Sequence, residues 1–113
     1  MIIVIPQIRH LGISGITLFP FIILRDKALK LDKRILNHER IHIRQQVELL
    51  VLPFYVVYLI EFVIGLIKYR NRLSAYMNIS FEREAYKNDS DLNYLKERKL
   101  WAWGSLIYNK FSL

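Results

Sequence analysis

The chain has no cysteine, which removes disulfides, thiolate metal sites and thiol catalysis from consideration and leaves the redox compartment open. Any metal must be held by His, Asp or Glu. Acid is also scarce: ten Asp and Glu face seventeen Lys and Arg, for a formal net charge of +7. That imbalance favours an anionic partner, either a membrane surface, a nucleic acid or an acidic substrate. There is no long basic run, helix-turn-helix cue, RNP-type string or zinc-finger spacing, so nucleic acid is not the expected partner. The first ten residues, MIIVIPQIRH, carry neither a charged n-region nor a small-residue cleavage site, so no secretory signal is expected and the first residue is placed in the cytoplasm. Repeats, low-complexity tracts and flexible linkers are missing too. The 113 residues are expected to form one domain over 1–113. Such a domain hides only about two-thirds of its unfolded surface, so a bound metal would add usefully to its stability.

Two short apolar runs, Ile2 to Ile5 and Ile16 to Leu24, read as a β-hairpin turning in "LGISG", with Pro20 marking the second strand as an edge. Asp32 can cap a first helix, in which Ile35, His38, His42, Gln46 and Leu49 recur at three- and four-residue steps. Pro53 should end or kink it. A very apolar second helix should run to about Tyr69, with a turn at "YRNR". Ser74 is placed as the cap of a third helix carrying "NISFEREAY". After a break at "NDSD", a fourth should run from Leu92 through "YLKERKLWAW". The expected class is α+β and mostly helical: a short N-terminal hairpin followed by about four helices.

On the first helix, "LNHERIHIRQQ" places His38, Glu39 and His42 in the pattern H-E-x-x-H. Residues four apart lie about 40° apart around the helix axis and one turn apart along it, so both imidazoles can reach one cation. Zinc accepts neutral histidine nitrogen, and catalytic zinc keeps a water in an open position. Glu39 is then aimed at that water as general base, the chemistry of amide hydrolysis. The alternative is that His38 and His42 are solvated or hydrogen-bonded helix residues. With three histidines and six glutamates in the chain, chance produces the pattern in roughly half a per cent of such sequences.

A third ligand is needed. Glu48, six residues past His42, lies too far along and around the helix, and Gln45 stands where a glycine would be required to turn the chain back. Glu61, alone in an apolar helix, reads as a buried or snorkelling carboxylate with a basic partner. In "FEREAY", Glu82 shares a helical face with Ala85, whose small side chain permits close approach to the histidine helix. Glu84 points away from Glu82. Glu82 is therefore the expected ligand.

These features resemble the gluzincin metallopeptidases, particularly their integral-membrane branches: the CaaX-prenyl-protease and HtpX-like enzymes and the antibiotic-sensor peptidases. The similarity runs from about Gly15 to Asp89: the strand "GITLFPFIIL", the motif "ILNHERIH", a hydrophobic helical stretch, the turn "YRNR" and a helix with Glu and a nearby Ala. The resemblance implies a minimal zincin-like domain and a zinc-dependent peptidase acting on a peptide or protein. It gives the metal to His38, His42 and Glu82, the base to Glu39 and the lining of the substrate cleft to Ile16–Leu24. Where the family often has an Asp that orients a ligand histidine, this chain has Tyr86, which leaves Asp89 or a backbone carbonyl for that task. His10, Tyr76 and Tyr86 are the candidates for stabilising an oxyanion. A non-catalytic, membrane-associated or subunit-like protein with a relic or coincidental motif is the alternative.

Residues 49–67 carry Glu61 as their one charge and reach the length of a membrane span. A single crossing would put His38 and His42 on one side and Glu82 on the other, which one ion cannot bridge. The stretch is therefore expected to lie in the membrane interface, fold back, pack in the core or enter as a hairpin bent near Pro53 or Gly65. Arg40 and Arg44 before it, and Lys68, Arg70 and Arg72 after it, fit a same-side arrangement. Trp101, Trp103, Tyr108 and Phe111, interleaved with Lys99 and Lys110, suit either an interfacial belt or a core. The expected location is the cytoplasmic side of a membrane, peripheral or shallowly inserted, against an anionic surface.

Overall fold

The computed structural model describes residues 1–104, so Tyr108, Lys110 and Phe111 lie outside the described residues. The chain is α+β and mostly helical. Its sheet has three strands, β1 (Ile2–Val4), β2 (Gly15–Leu18) and β3 (Phe21–Leu24), in the order β1-β3-β2. This corrects the expected two-stranded hairpin. The apolar run 16–24 folds in half at Phe19-Pro20, and Pro20 sits in the turn, where its missing N–H is no loss. β2 and β3 pair antiparallel from Leu18↔Phe21 to Gly15↔Leu24. A 3-10 segment, Pro6–Leu11, carries the chain across so that β1 joins β3 in parallel, Ile2↔Ile22 to Val4↔Leu24. Central β3 alternates between half-buried and buried residues, and its Ile22 and Leu24 meet Leu36 in one apolar cluster.

Asp32 caps α1 (Lys33–Leu49) as expected, accepting from the N–H groups of Arg34 and Ile35 at 3.0 and 3.1 Å. α1 ends before Pro53, which lies in the first turn of α2 (Val51–Tyr69), a position that needs no N–H. The joint is Leu50, with φ 67° and ψ 158°, a conformation costly to any residue with a Cβ. Replacing Leu50 by Gly is expected to stabilise the protein by about 1 kcal/mol, the relief of strain exceeding the extra freedom of the unfolded chain. The midpoint of urea unfolding checks this, and a lower midpoint would refute it.

The expected third helix is two, α3 (Arg72–Met77) and α4 (Ser80–Asn88). Asn71, rather than Ser74, caps α3 by accepting from the Ser74 N–H at 2.9 Å. The start of α4 is capped from α2: Glu61 accepts from the Ser80 N–H at 2.8 Å and the Ser80 hydroxyl at 2.6 Å. Glu61 thus has a polar role in the core, as the cap of α4. α4 packs against α1, and Phe54, Ile79, Phe81 and Trp103 form a second apolar cluster. The expected fourth helix is a single turn, α5 (Tyr94–Glu97). Beyond it Arg98 leaves helical geometry and turns inward to Glu48 and Glu84. Trp103 joins the core against Phe81, while Trp101 is exposed.

α2 is long and apolar enough to span a membrane by length and composition. Phe54, Glu61 and Gly65 on one face are buried, and Leu52, Val56, Leu59, Ile60, Val63 and Ile67 are exposed along another. At Gly65 a Cβ would lie 2.9 Å from the Ala75 Cα, so the glycine is what lets α3 approach this closely.

Candidate metal centre

α1 carries His38, Glu39 and His42 toward α4, and α4 presents Glu82 opposite them. All four are only 4 to 7 % exposed. Among the described residues, His38, His42 and Glu82 are a group whose potential ligand atoms lie within 4.8 Å of one another. The closest atoms form a nearly equilateral triangle: His38 Nε2 to Glu82 Oε1 3.1 Å, His42 Nε2 to Glu82 Oε1 3.0 Å, and Nε2 to Nε2 3.2 Å. Tetrahedral zinc with bonds of about 2.0 Å separates its ligands by about 3.3 Å.

Hydrogen-bond bookkeeping shows what faces the middle of that triangle. His38 Nδ1–H donates to Asp89 Oδ2 at 3.0 Å, because an ionised carboxylate only accepts. Gln45 Nε2 donates to the Phe81 carbonyl at 3.1 Å and to Glu84 Oε1 at 2.9 Å. The Gln45 oxygen must then face His42, whose Nδ1–H donates to it at 2.7 Å. With both Nδ1 positions used as donors, each neutral ring turns an Nε2 lone pair inward, next to a carboxylate oxygen. Three electron-rich atoms at this separation repel one another unless a cation or a proton lies between them. The titration of His42 reflects the same geometry: burial alone would lower its pKa, but the Glu82 charge outweighs it and raises the value to about 9. Glu82 is buried, which would raise its own pKa, yet the neighbouring His42 charge and bonds from both histidines hold it well below the carboxylate range.

Several supports of this centre were not among the sequence-derived candidates. Tyr58 donates to Glu82 Oε2 at 2.8 Å, leaving Oε1 for the histidines. Thr17 donates to Glu39 Oε2 at 2.6 Å, and a Cβ at Gly15 would sit 3.1 Å from Glu39 Oε1. β2 therefore pins the carboxylate, and a side chain at 15 would press on Glu39, Leu24 and the Ile23 carbonyl. Gln46 acts like a one-residue strand on the outer edge of β2, accepting from the Phe19 N–H at 2.7 Å and donating to the Thr17 carbonyl at 2.8 Å. Tyr55 also donates to that carbonyl. Spacing offered a signal for Gln45, three residues from His42 on one helical face. Thr17, a polar residue within an apolar strand, offered another. Nothing local pointed to Tyr58.

No protein family model, curated protein or solved structure matches the chain. Of the further candidates, Asp89 is the partner of His38, and Asn37 holds its loop by donating to the Asp89 and Asp91 carbonyls, each at 2.9 Å. Tyr86 stacks edge-on against the His38 ring at 4.4 Å and shares a 2.8 Å hydrogen bond with the Tyr76 hydroxyl. Burial raises the pKa of both tyrosines, with Glu82 adding to the effect, so they remain neutral hydroxyls. His10 is exposed, at the rim of an outer cleft that also includes Tyr76 and Tyr86. Glu84 faces away from the centre toward Arg98, and Glu48 pairs with that same arginine.

His38, Glu39, His42 and Glu82 open onto one cavity of about 450 Å³, walled by Ile16, Phe54, Tyr55, Tyr58, Phe62 and Tyr76 among others. Of the strand run expected to line a cleft, only Ile16 and Thr17 do so, joined by the neighbouring Gly15. The second half of that run is β3, whose Ile22 and Leu24 belong to the core.

Proposed function

We propose that this protein is a zinc-dependent, gluzincin-like peptidase that cleaves peptide bonds at a membrane surface. The observation that carries the reading is the convergence of two Nε2 lone pairs and one carboxylate oxygen at 3.0 to 3.2 Å, beside a cavity that Glu39 also lines. His38, His42 and Glu82 would hold the ion, and a donor set of two imidazoles and one carboxylate suits zinc with a position left open. Zinc there supplies Lewis acidity toward a water and a substrate carbonyl. Glu39, held by Thr17 and free of the ligand triangle, accepts the proton of the attacking water and delivers it to the departing amine. The apolar and aromatic walls favour a peptide segment with bulky apolar side chains. Tyr76, a neutral hydroxyl on the same wall, is the donor we assign to the developing oxyanion.

The membrane reading rests on the exposed apolar stripe of α2 and the exposed basic residues near its ends, Arg40, Arg44, Lys68, Arg70 and Arg72. α3 folds back against α2, with Ala75 beside Gly65, so a crossing would draw residues of α3 toward hydrocarbon, whereas an interfacial helix offers the lipid only its outer stripe. The basic residues suit the anionic, cytoplasmic leaflet.

One experiment tests both parts. Purified protein is expected to hold about one zinc per chain, to hydrolyse a generic unfolded protein substrate until a chelator is added, and to co-sediment with anionic vesicles. One zinc without hydrolysis would support a non-catalytic metal protein instead. No zinc after exposure to the ion would overturn the metal reading, and failure to sediment would overturn the membrane reading.

A further inference from the structure

Away from the triangle, Glu48, Glu84 and Arg98 form a cluster of charges whose side chains are 1 to 2 % exposed. Arg98 grips Glu48 with two parallel bonds of 2.8 and 2.9 Å. Its other contacts go to Glu84, Nη2 donating to Oε1 at 3.0 Å and Nε to Oε2. Tyr94 adds a donor to Glu84 Oε2 at 2.7 Å. Two carboxylates share one guanidinium; the Trp101 N–H donates to Glu48 Oε2 at 2.7 Å, and Gln45 Nε2 donates to Glu84 Oε1 at 2.9 Å.

Gln45 thereby connects two systems. The amide is planar, so committing Nε2 to Glu84 and the Phe81 carbonyl commits Oε1 to the His42 Nδ1–H. If the amide turned over, its NH2 would face Nδ1, the ring proton would move to Nε2, and the lone pair aimed at Glu82 would be lost. His38 needs no such arrangement, because Asp89 is a carboxylate and accepts whichever way it is turned. His42 has a neutral amide that works in one orientation only, and the side chains fixing that orientation come from α4 and from the segment after α5.

We infer that Gln45, oriented by Glu84 and Arg98, is a positioning residue for the metal centre, and that docking of the segment bearing Tyr94 and Arg98 sets how tightly His42 holds the ion. Outer partners of metal ligands commonly alter affinity by about 10- to 100-fold. This inference rests on the metal reading above and adds to it a dependence on side chains that never touch the ion.

The test is zinc affinity, by competition with a chromophoric chelator, for the wild type and for Gln45→Met, Arg98→Ala and Arg98→Lys. NMR of the zinc-loaded proteins adds a readout that general loosening would not move selectively, the Nδ1–H signals of His42 and His38. Gln45→Met is expected to bind zinc about 10- to 100-fold more weakly and to shift the His42 signal while leaving that of His38 in place. Arg98→Ala should weaken binding in the same direction, and Arg98→Lys should recover part of the loss. Wild-type affinity in folded Gln45→Met, or equal shifts of both histidine signals, overturns the inference while leaving the metal reading intact. A wild type that binds no zinc removes both. Should Gln45→Met fail to fold, the Arg98 pair carries the same comparison: equal affinity for Ala and Lys at 98 overturns the inference.

Discussion

Glu39→Gln is expected to lower peptide hydrolysis by about 10²- to 10⁴-fold, the range over which a positioned general base acts, while leaving about one zinc per chain. Glutamine matches glutamate in shape, and its carbonyl oxygen can still accept from the Thr17 hydroxyl that now bonds Glu39 at 2.6 Å. What changes is the ability to take a proton. Glu39 is absent from the 3.0 to 3.2 Å triangle, so metal content should not follow activity down. The measurement pairs turnover of a quenched fluorescent peptide with zinc content by mass spectrometry. Undiminished turnover would remove Glu39 from the chemistry, and parallel loss of zinc would make it a ligand.

The second large effect is expected at Glu82. Replacing it by Ala deletes the one anionic ligand and leaves two buried imidazoles facing each other, so zinc affinity should fall by more than the roughly 100-fold ceiling of outer-partner changes. The stripped proteins should differ as well. In the wild type, burial lowers the His42 pKa but Glu82 raises it further, to about 9. Without Glu82 the NMR titration midpoint of His42 should drop well below that value. Because the folded pKa lies above the ordinary 6.5, the contribution of His42 to the stability of stripped wild type is complete below pH 6.5 and is lost as pH rises through about 9. Glu82 acts oppositely: its depressed pKa contributes stability above its ordinary 4.5, and this is lost in acid. The pair therefore stabilises the stripped wild type most between pH 4.5 and 6.5, and Glu82→Ala should flatten the decline between 6.5 and 9. Zinc must displace the same His42 proton, so wild-type affinity is expected to weaken by about tenfold per pH unit below 9. A pH-independent affinity, or an unchanged His42 midpoint in Glu82→Ala, would show that the two residues are not coupled.

Much of this centre was legible along one helix. His38, Glu39 and His42 could be read together because their relation depends only on the helical repeat, and the Asp32 cap and the extent of α2 are equally local. Glu82 was reachable because Ala85 on its face announced a close helix crossing. The sheet order was less accessible. A run apolar at nearly every position suits one buried strand or two, and only the contest for pairing with β3 placed β1 beside it and Pro20 in the turn. The loss of the long fourth helix has a similar origin: Arg98 leaves helical geometry to meet Glu48 and Glu84.

The sequence by itself determined the pairing of His38 with His42, the place of Glu39 beside them and a helix whose surface is apolar nearly all round, since each is a matter of residue type at short spacing. Tertiary structure decided which atoms of those residues are available. The bonds that aim them join Thr17 to Glu39 across 22 positions, His42 to Glu82 across 40 and His38 to Asp89 across 51. Such bonds exist only after β2, α1 and α4 have packed, because hydrogen bonds are short and directional while no local spacing carries information over that distance.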